Sequence, residues 1–128
     1  MKREVPETVE ELSPVGPYSQ VVNVGDLYFF SGQLPLQPGG AGMETGSISN
    51  QTRRVMDNIG LLLRGAGLDY NDIAKTTIFT TDLSHFADIN RVYAEYFVEA
   101  PPARSCIQVG ALPLGAAVEI EVIAVRQV

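Results

Sequence analysis

Apolar residues recur along this chain with two different periods, and the switch between them marks out its elements. Val55, Met56, Ile59, Leu62, Leu63 and Ala66 fall at the three- and four-residue spacing that builds one face of an α-helix. Ser49 or Asn50 is a candidate cap, because a short polar side chain can accept from the backbone N–H groups that a first helical turn leaves free. Gly65 to Gly67 supplies the stop. Phe86, Ile89, Tyr93, Tyr96 and Phe97 form a second stripe. Ser84 is its candidate cap, and Pro101-Pro102 ends the run.

Elsewhere the apolar positions form short β-type runs. Val21 to Val24 and Leu27 to Ser31 flank Gly25-Asp26, a hairpin signal. Ile73 to Thr81, Ser105 to Val109 and Val118 to Val125 complete the set. The order β-β-α-β-α-β-β predicts an α+β fold: one mixed sheet covered on one face by two helices. In the last run Val118, Ile120, Val122 and Ala124 share a face, which should meet the helices. The other face carries Glu119, Glu121, Ile123 and Val125. It is too apolar for a freely solvated surface and points to burial against another subunit, the alternative being a few tolerated exposed residues.

Composition narrows the class. The 128 residues suit one domain, 1–128, and 45% hydrophobic with 19% charged residues is an ordinary globular balance. The single cysteine, Cys106, excludes an intramolecular disulfide and suits a reducing compartment. Lys2 and Arg3 are followed by acids and proline rather than an apolar stretch, so no signal peptide is expected. The apolar runs are too short to cross a bilayer. The expectation is a soluble cytoplasmic protein with no membrane partner. A formal net charge of −6 repels phosphate backbones and argues against a nucleic-acid partner. The basic pair Arg53-Arg54 reads as a solvated helix face. Gly39-Gly40-Ala41-Gly42 reads as a flexible surface turn or the lip of a site.

The chemistry-bearing residues are few. His85 is the only histidine and cannot build a metal cluster alone; no metal is expected. No CxxC, HExxH, P-loop or GxSxG pattern occurs. Cys106 has no imidazole partner but His85, so it reads as a small wall residue rather than a nucleophile. Arg104 and Glu119 remain. On period two, Arg104 shares a face with Cys106, while Ser105, Ile107 and Val109 look like core. Arg104 then points to the same half-polar kind of face as Glu119, and from composition alone such a pair is more often a structural ion pair than a site.

A wider pattern bears on that choice. Pro102-Ala103-Arg104-Ser105-Cys106, Leu112-Pro113 and Val118 to Val125 occur in order. Gly16-Pro17-Tyr18-Ser19-Gln20, Ser31-Gly32-Gln33-Leu34-Pro35, Asp57-Asn58, Gly67-Leu68, Lys75-Thr76-Thr77, Asp82-Leu83, Phe86 to Asn90 and Tyr93 precede them. This succession resembles the RidA (YjgF-type) family of enamine/imine deaminases, from about Gly16 to Arg126. Residues 1–15 lie partly outside the match. The resemblance implies a chorismate-mutase-like fold and a homotrimer whose sheets surround a central barrel, with active sites between subunits. It implies hydrolysis of 2-iminobutanoate or 2-iminopropanoate, reactive products of pyridoxal-phosphate enzymes, to 2-keto acids and ammonia, with no metal or organic cofactor. Partners would be small 2-imino and 2-keto acids.

By the same resemblance, Arg104 grips the substrate carboxylate and Glu119 holds the attacking water. Tyr18, Ser31, Gly32, Asn90 and Cys106 line the cleft, Gly32 and Cys106 through their backbones. Tyr18 could equally pack as a plain aromatic, and Asn90 could bond within its helix. Gly110-Ala111 before Leu112-Pro113 and Leu114 to Ala117 after it replace charged residues common in the family, which bears on substrate preference rather than on the reaction. Two other classes stay open: a non-enzymatic trimer that binds small acids in regulation, and an endoribonuclease or translation inhibitor.

Overall fold

A computed structural model of the chain describes residues 2–7 and 9–127. Its elements are β1 (Arg3–Glu4), β2 (Val21–Val24), β3 (Leu27–Gln33), α1 (Ile48–Gly65), β4 (Ile73–Thr80), α2 (Phe86–Ala94), β5 (Ala103–Gln108) and β6 (Val118–Val125). Apart from the two-residue β1, this is the order that the periodicity predicts. The strands form one sheet in the order β1-β2-β3-β6-β4-β5. All pairs are antiparallel except β4 with β5. That parallel pair needs a long crossover, which α2 supplies.

Both helices cover one face. Val118, Ile120, Val122 and Ala124 of β6 are buried there with Val55, Met56, Ile59 and Leu63 of α1. Asn58 sits wholly buried among these apolar side chains because it is satisfied: its Nδ2 donates to the carbonyls of Leu34 and Leu36, at 3.2 and 2.8 Å, and its Oδ1 accepts from Arg54. Those bonds fasten the segment after β3 to α1. On the other face, directly opposed pairs such as Phe29 with Ile123 and Phe79 with Glu119 look outward. Phe29 is 42% and Ile107 46% exposed.

The helix boundaries depart from the sequence expectation. Ser47, not Ser49 or Asn50, caps α1, accepting from the Asn50 N–H at 3.1 Å. The far end closes as expected: Leu68 N–H reaches Leu63 O and Gly67 N–H reaches Arg64 O, with Gly67 at φ +78°, a reciprocal C-terminal cap that only an unhindered residue adopts cheaply. Before α2, Asp82 caps a 3-10 turn over Leu83–His85 by accepting from Ser84 N–H; Ser84 is the donor, not the cap. Helix α2 stops at Ala94, so Tyr96 and Phe97 pack from the turn beyond it, Phe97 against Tyr93 and Tyr96 against Tyr70.

Three strands also differ at their ends: β4 stops at Thr80 rather than Thr81. Strand β3 continues past Ser31 to Gln33, and β5 runs from Ala103 to Gln108 rather than from Ser105 to Val109. The Gly39–Gly42 loop is a tight turn, closed by Gln37 N–H to Gly42 O at 2.7 Å and a bridge between Leu36 and Met43. Among the described residues no helix is long and apolar enough to cross a membrane.

Candidate active site

Strand β5 is an edge strand, and the period of its side chains gives Arg104 and Cys106 one face, Ser105 and Ile107 the other. The parallel register sets Arg104 beside Thr76 and Cys106 beside Ile78. Thr76 and Ile78 are wholly buried under the helices, so Arg104 lies on the helix side. Ser105 and Ile107, expected in the core, instead look out from the open face. Lys75 donates to Ser105 Oγ there, at 3.3 Å.

Three residues of α2 meet Arg104. Phe86, Asn90 and Tyr93 stand at i, i+4 and i+7, on one stripe of the helix. Arg104 Nη1 donates to Asn90 Oδ1 at 2.7 Å. The guanidinium carbon lies 5.1 Å from the centre of the Tyr93 ring and 5.4 Å from that of Phe86, within the range where an aromatic face attracts a cation. Tyr93 is itself fixed, its hydroxyl 2.7 Å from Thr76 Oγ1; burial raises the Tyr93 pKa, opposed by the Thr76 bond and the Arg104 charge. Among the described residues Arg104 has no carboxylate partner. It borders a cleft of about 380 Å³ shared with Asn90, Tyr93, Ala94, Phe97, Pro101 and Pro102. The ion pair that composition alone favours is therefore not formed. A guanidinium with one N–H occupied keeps its remaining donors for two-point contact with a carboxylate.

Glu119 is elsewhere. It opposes Phe79 across the β4–β6 ladder and belongs to the open face. In one chain, then, Arg104 and Glu119 occupy opposite faces of the sheet. Glu119 lies over Gly32, where a Cβ atom would collide with the carboxylate. Gly32 sits in a β-bulge: Phe30 pairs with Val122 and Gln33 with Ile120, so Ser31 and Gly32 together span the one step taken by Glu121. Partial burial pushes the Glu119 carboxyl above its ordinary pKa, and the Glu121 charge adds to the rise.

The bulge is tied to the preceding loop. Ser31 Oγ donates to Ser19 O at 2.7 Å and Ser31 N–H to Gln20 O at 2.9 Å. Gln33 Nε2 donates to both Gln20 Oε1 and Ser31 O, and Gln20 Nε2 to Leu12 O. These buried amides anchor the segment that carries Tyr18. Tyr18 is 42% exposed, its ring packs beside Gly16, and its hydroxyl accepts from Val15 N–H at 3.3 Å. Cys106 is half-buried against the core; burial raises its pKa and the Arg104 charge offsets part of the rise. A raised pKa keeps it a thiol, which suits a wall position better than a nucleophile.

The predicted residues thus fall into two groups: Arg104, Asn90 and Cys106 on the helix side of the sheet edge, and Gly32 and Glu119 on the open face, with Ser31 and Tyr18 tied to the bulge. Sequence reasoning missed Phe86, Tyr93 and Thr76 as parts of the arginine's setting. Their signal was present, since Phe86, Asn90 and Tyr93 share helical spacing, but it reads as core. Among the described residues no group of three His, Cys, Asp or Glu side chains could hold a metal ion.

Residues 8–126 match the family model described as endoribonuclease L-PSP. A RutC family protein of Pyrococcus abyssi is 42% identical over 127 residues, covering 99% of this chain and all of that one. The mouse 2-iminobutanoate/2-iminopropanoate deaminase is 39% identical over 124 residues, covering 97% of this chain and 92% of its own. Among solved structures, that of Escherichia coli TdcF with bound serine superposes with a TM-score of 0.90 at 40% identity, covering 97% of this chain and 99% of that one.

Proposed function

The chain belongs to the endoribonuclease L-PSP family, the family of the RidA proteins, and from that premise we propose that it is a deaminase of small 2-imino acids. Arg104 grips the carboxylate and so fixes C2, the electrophilic carbon, next to an attacking water. Glu119 holds that water and takes its proton as the oxygen adds to C2 and the C=N pair moves to nitrogen. That proton passes to the nitrogen to give a carbinolamine; the new hydroxyl then gives up its own proton, a second transfer carries it to the nitrogen, and collapse to the C=O bond expels ammonia. The balance closes with water alone, and the reading assigns no metal or organic cofactor. Backbone groups of Gly32 and Cys106 and the side chains of Tyr18, Ser31 and Asn90 complete the walls.

The observation that carries this reading is the arginine. Arg104 is oriented by Asn90 and two rings, has no carboxylate partner among the described residues, and opens on a mostly apolar cleft. Internal ion pairing would not need such a cleft. The separation of Arg104 from Glu119 supports a second part of the proposal, a homotrimer with sites between subunits. One chain cannot bring the two residues together through its own sheet, whereas a neighbour's open face, with Gly32 and Glu119, can meet the Arg104 edge. The outward Phe29 and Ile107 give that contact apolar area. The free thiol of Cys106 suits a reducing compartment, and the reading extends to a cytoplasmic location.

The test is ammonia release from freshly generated 2-iminobutanoate. Wild type should accelerate it well beyond buffer, and Arg104→Ala should lower kcat/KM by about 100-fold or more. No wild-type acceleration overturns the enzyme reading. Binding of 2-oxobutanoate without turnover would indicate a regulatory acid-binding protein instead. RNA cleavage, which the family's description raises, is opposed by the net charge of −6.

A further inference from the structure

We infer that Tyr93 and Thr76 form a positioning pair that holds the Arg104 guanidinium in its carboxylate-binding orientation. The inference deepens the deaminase reading and rests on it. An arginine side chain has four rotatable bonds before its planar head, and a two-point grip on a carboxylate requires that head to be presented at one angle. Strand β5 fixes only the Cα of Arg104. Asn90 Oδ1 fixes one nitrogen, Nη1, which still leaves the plane free to swing about that contact. Two rings supply the remaining constraint, Phe86 at 5.4 Å and Tyr93 at 5.1 Å from the guanidinium carbon, and of the two only Tyr93 carries a polar group that can fix the ring itself.

The Tyr93 ring is locked at its far end. Its hydroxyl is 2.7 Å from Thr76 Oγ1, and Thr76 is wholly buried, with Tyr93 nearly so. No other hydrogen bond to the Thr76 hydroxyl is present among the described residues. Thr76 is also the residue that stands beside Arg104 in the β4–β5 register. One strand pair therefore carries the cation and, on the adjoining strand, the hydroxyl that sets the ring against it. A core tyrosine would not need this, since phenylalanine fills nearly the same space without a polar group to satisfy. Because Tyr93 acts through Arg104, which it leaves in place, its loss should weaken the grip on the carboxylate far more than it slows the bound substrate's reaction.

The experiment compares wild type with Tyr93→Phe, Thr76→Val, the Thr76→Val/Tyr93→Phe double variant and Thr76→Ser. Each is measured by calorimetric titration of 2-oxobutanoate, by KM and kcat for 2-iminobutanoate, and by urea midpoint. Each single variant strands one buried hydroxyl and lowers the midpoint; the double variant removes both and recovers it. A purely structural pair would recover affinity along with stability. The positioning pair predicts that the double variant stays weak, with KM and the 2-oxobutanoate Kd raised about 3- to 10-fold, the range one ordinary hydrogen bond represents, and kcat within twofold of wild type. Thr76→Ser, which keeps the hydroxyl, restores both constants. Wild-type affinity in the stable double variant overturns the inference and leaves the deaminase reading standing. A wild type that neither binds 2-oxobutanoate nor releases ammonia overturns both.

Discussion

Replacing Gly32 by alanine should remove activity while leaving the fold nearly as stable. The backbone at Gly32 has no positive φ, so alanine meets no backbone strain there. The added methyl would, however, lie within 2.8 Å of Glu119 Cδ and 3.2 Å of Cγ, where carbon atoms pack best at about 3.5–4.0 Å. The obstructing group is the end of a flexible side chain, so Glu119 turns away. An off-rotamer or less favourable χ angle costs about 0.5–1.5 kcal/mol, and the restricted unfolded chain of a Gly→Ala change returns about 0.4–1 kcal/mol. The net change in stability is therefore within about 1 kcal/mol. The carboxylate, by contrast, moves by an ångström or more, and a misplacement of that size costs about 100-fold in rate. Ammonia release and urea unfolding, measured on the same preparation, separate the two effects. Glu119→Gln should show a similar loss, and the Gly32→Ala/Glu119→Gln double variant should lose little more than either alone, because both changes act on one carboxylate. If Gly32→Ala kept kcat/KM within threefold of wild type at unchanged stability, the placement of Glu119 over Gly32 would have no part in the reaction.

Two further outcomes follow from the same geometry. Because burial and the Glu121 charge raise the Glu119 pKa, the acid limb of kcat/KM against pH should fall above the ordinary value of 4.5 and shift down in Glu121→Gln; a folded-state pKa above the unfolded one also means that the ionised carboxylate opposes folding, so Glu119→Gln should gain stability at pH 7, with the difference shrinking as pH falls through the raised pKa. Asn58→Ala strands the carbonyls of Leu34 and Leu36 and should lower stability by about 2–4 kcal/mol in urea unfolding, with a loss below 1 kcal/mol refuting the buried linkage.

The sheet was legible in the sequence wherever one face is wholly buried. Val118, Ile120, Val122 and Ala124 alternate with more polar residues because α1 covers them, and the predicted bounds of β6 are the observed ones. The caps were not legible to the residue. Ser47, Ser49 and Asn50 are equally suitable acceptors, and the one that serves depends on where the chain leaves the loop. The same holds at α2, where a 3-10 turn intervenes and Asp82 rather than Ser84 faces the free N–H groups. The bulge at Ser31-Gly32 was missed for another reason: an extra residue breaks the period of two, so the pattern fades where the strand in fact continues to Gln33.

The orientation of β5 is the instructive miss. Its two faces carry Arg104 and Cys106 or Ser105 and Ile107, and apolar content alone favours the second for the core. The structure chooses the first, because β5 lies at the sheet edge, where helix α2 offers the inward face an amide and two aromatic rings rather than a continuous apolar layer. An arginine is tolerated there since its charge meets Asn90 and ring faces while its head stays open to the cleft. That choice has a consequence for assembly. Had Arg104 faced outward, it would have shared a surface with Glu119, and a single chain could have paired them into an inert bridge. By sending the cation to one face and the carboxylate to the other, the sheet keeps the two apart within one chain, and in the proposed trimer a second subunit's open face would have to meet the β5 edge to bring them together. Formation of the proposed site and formation of the oligomer then become one event, so dilution that separates subunits should abolish turnover while leaving each chain folded.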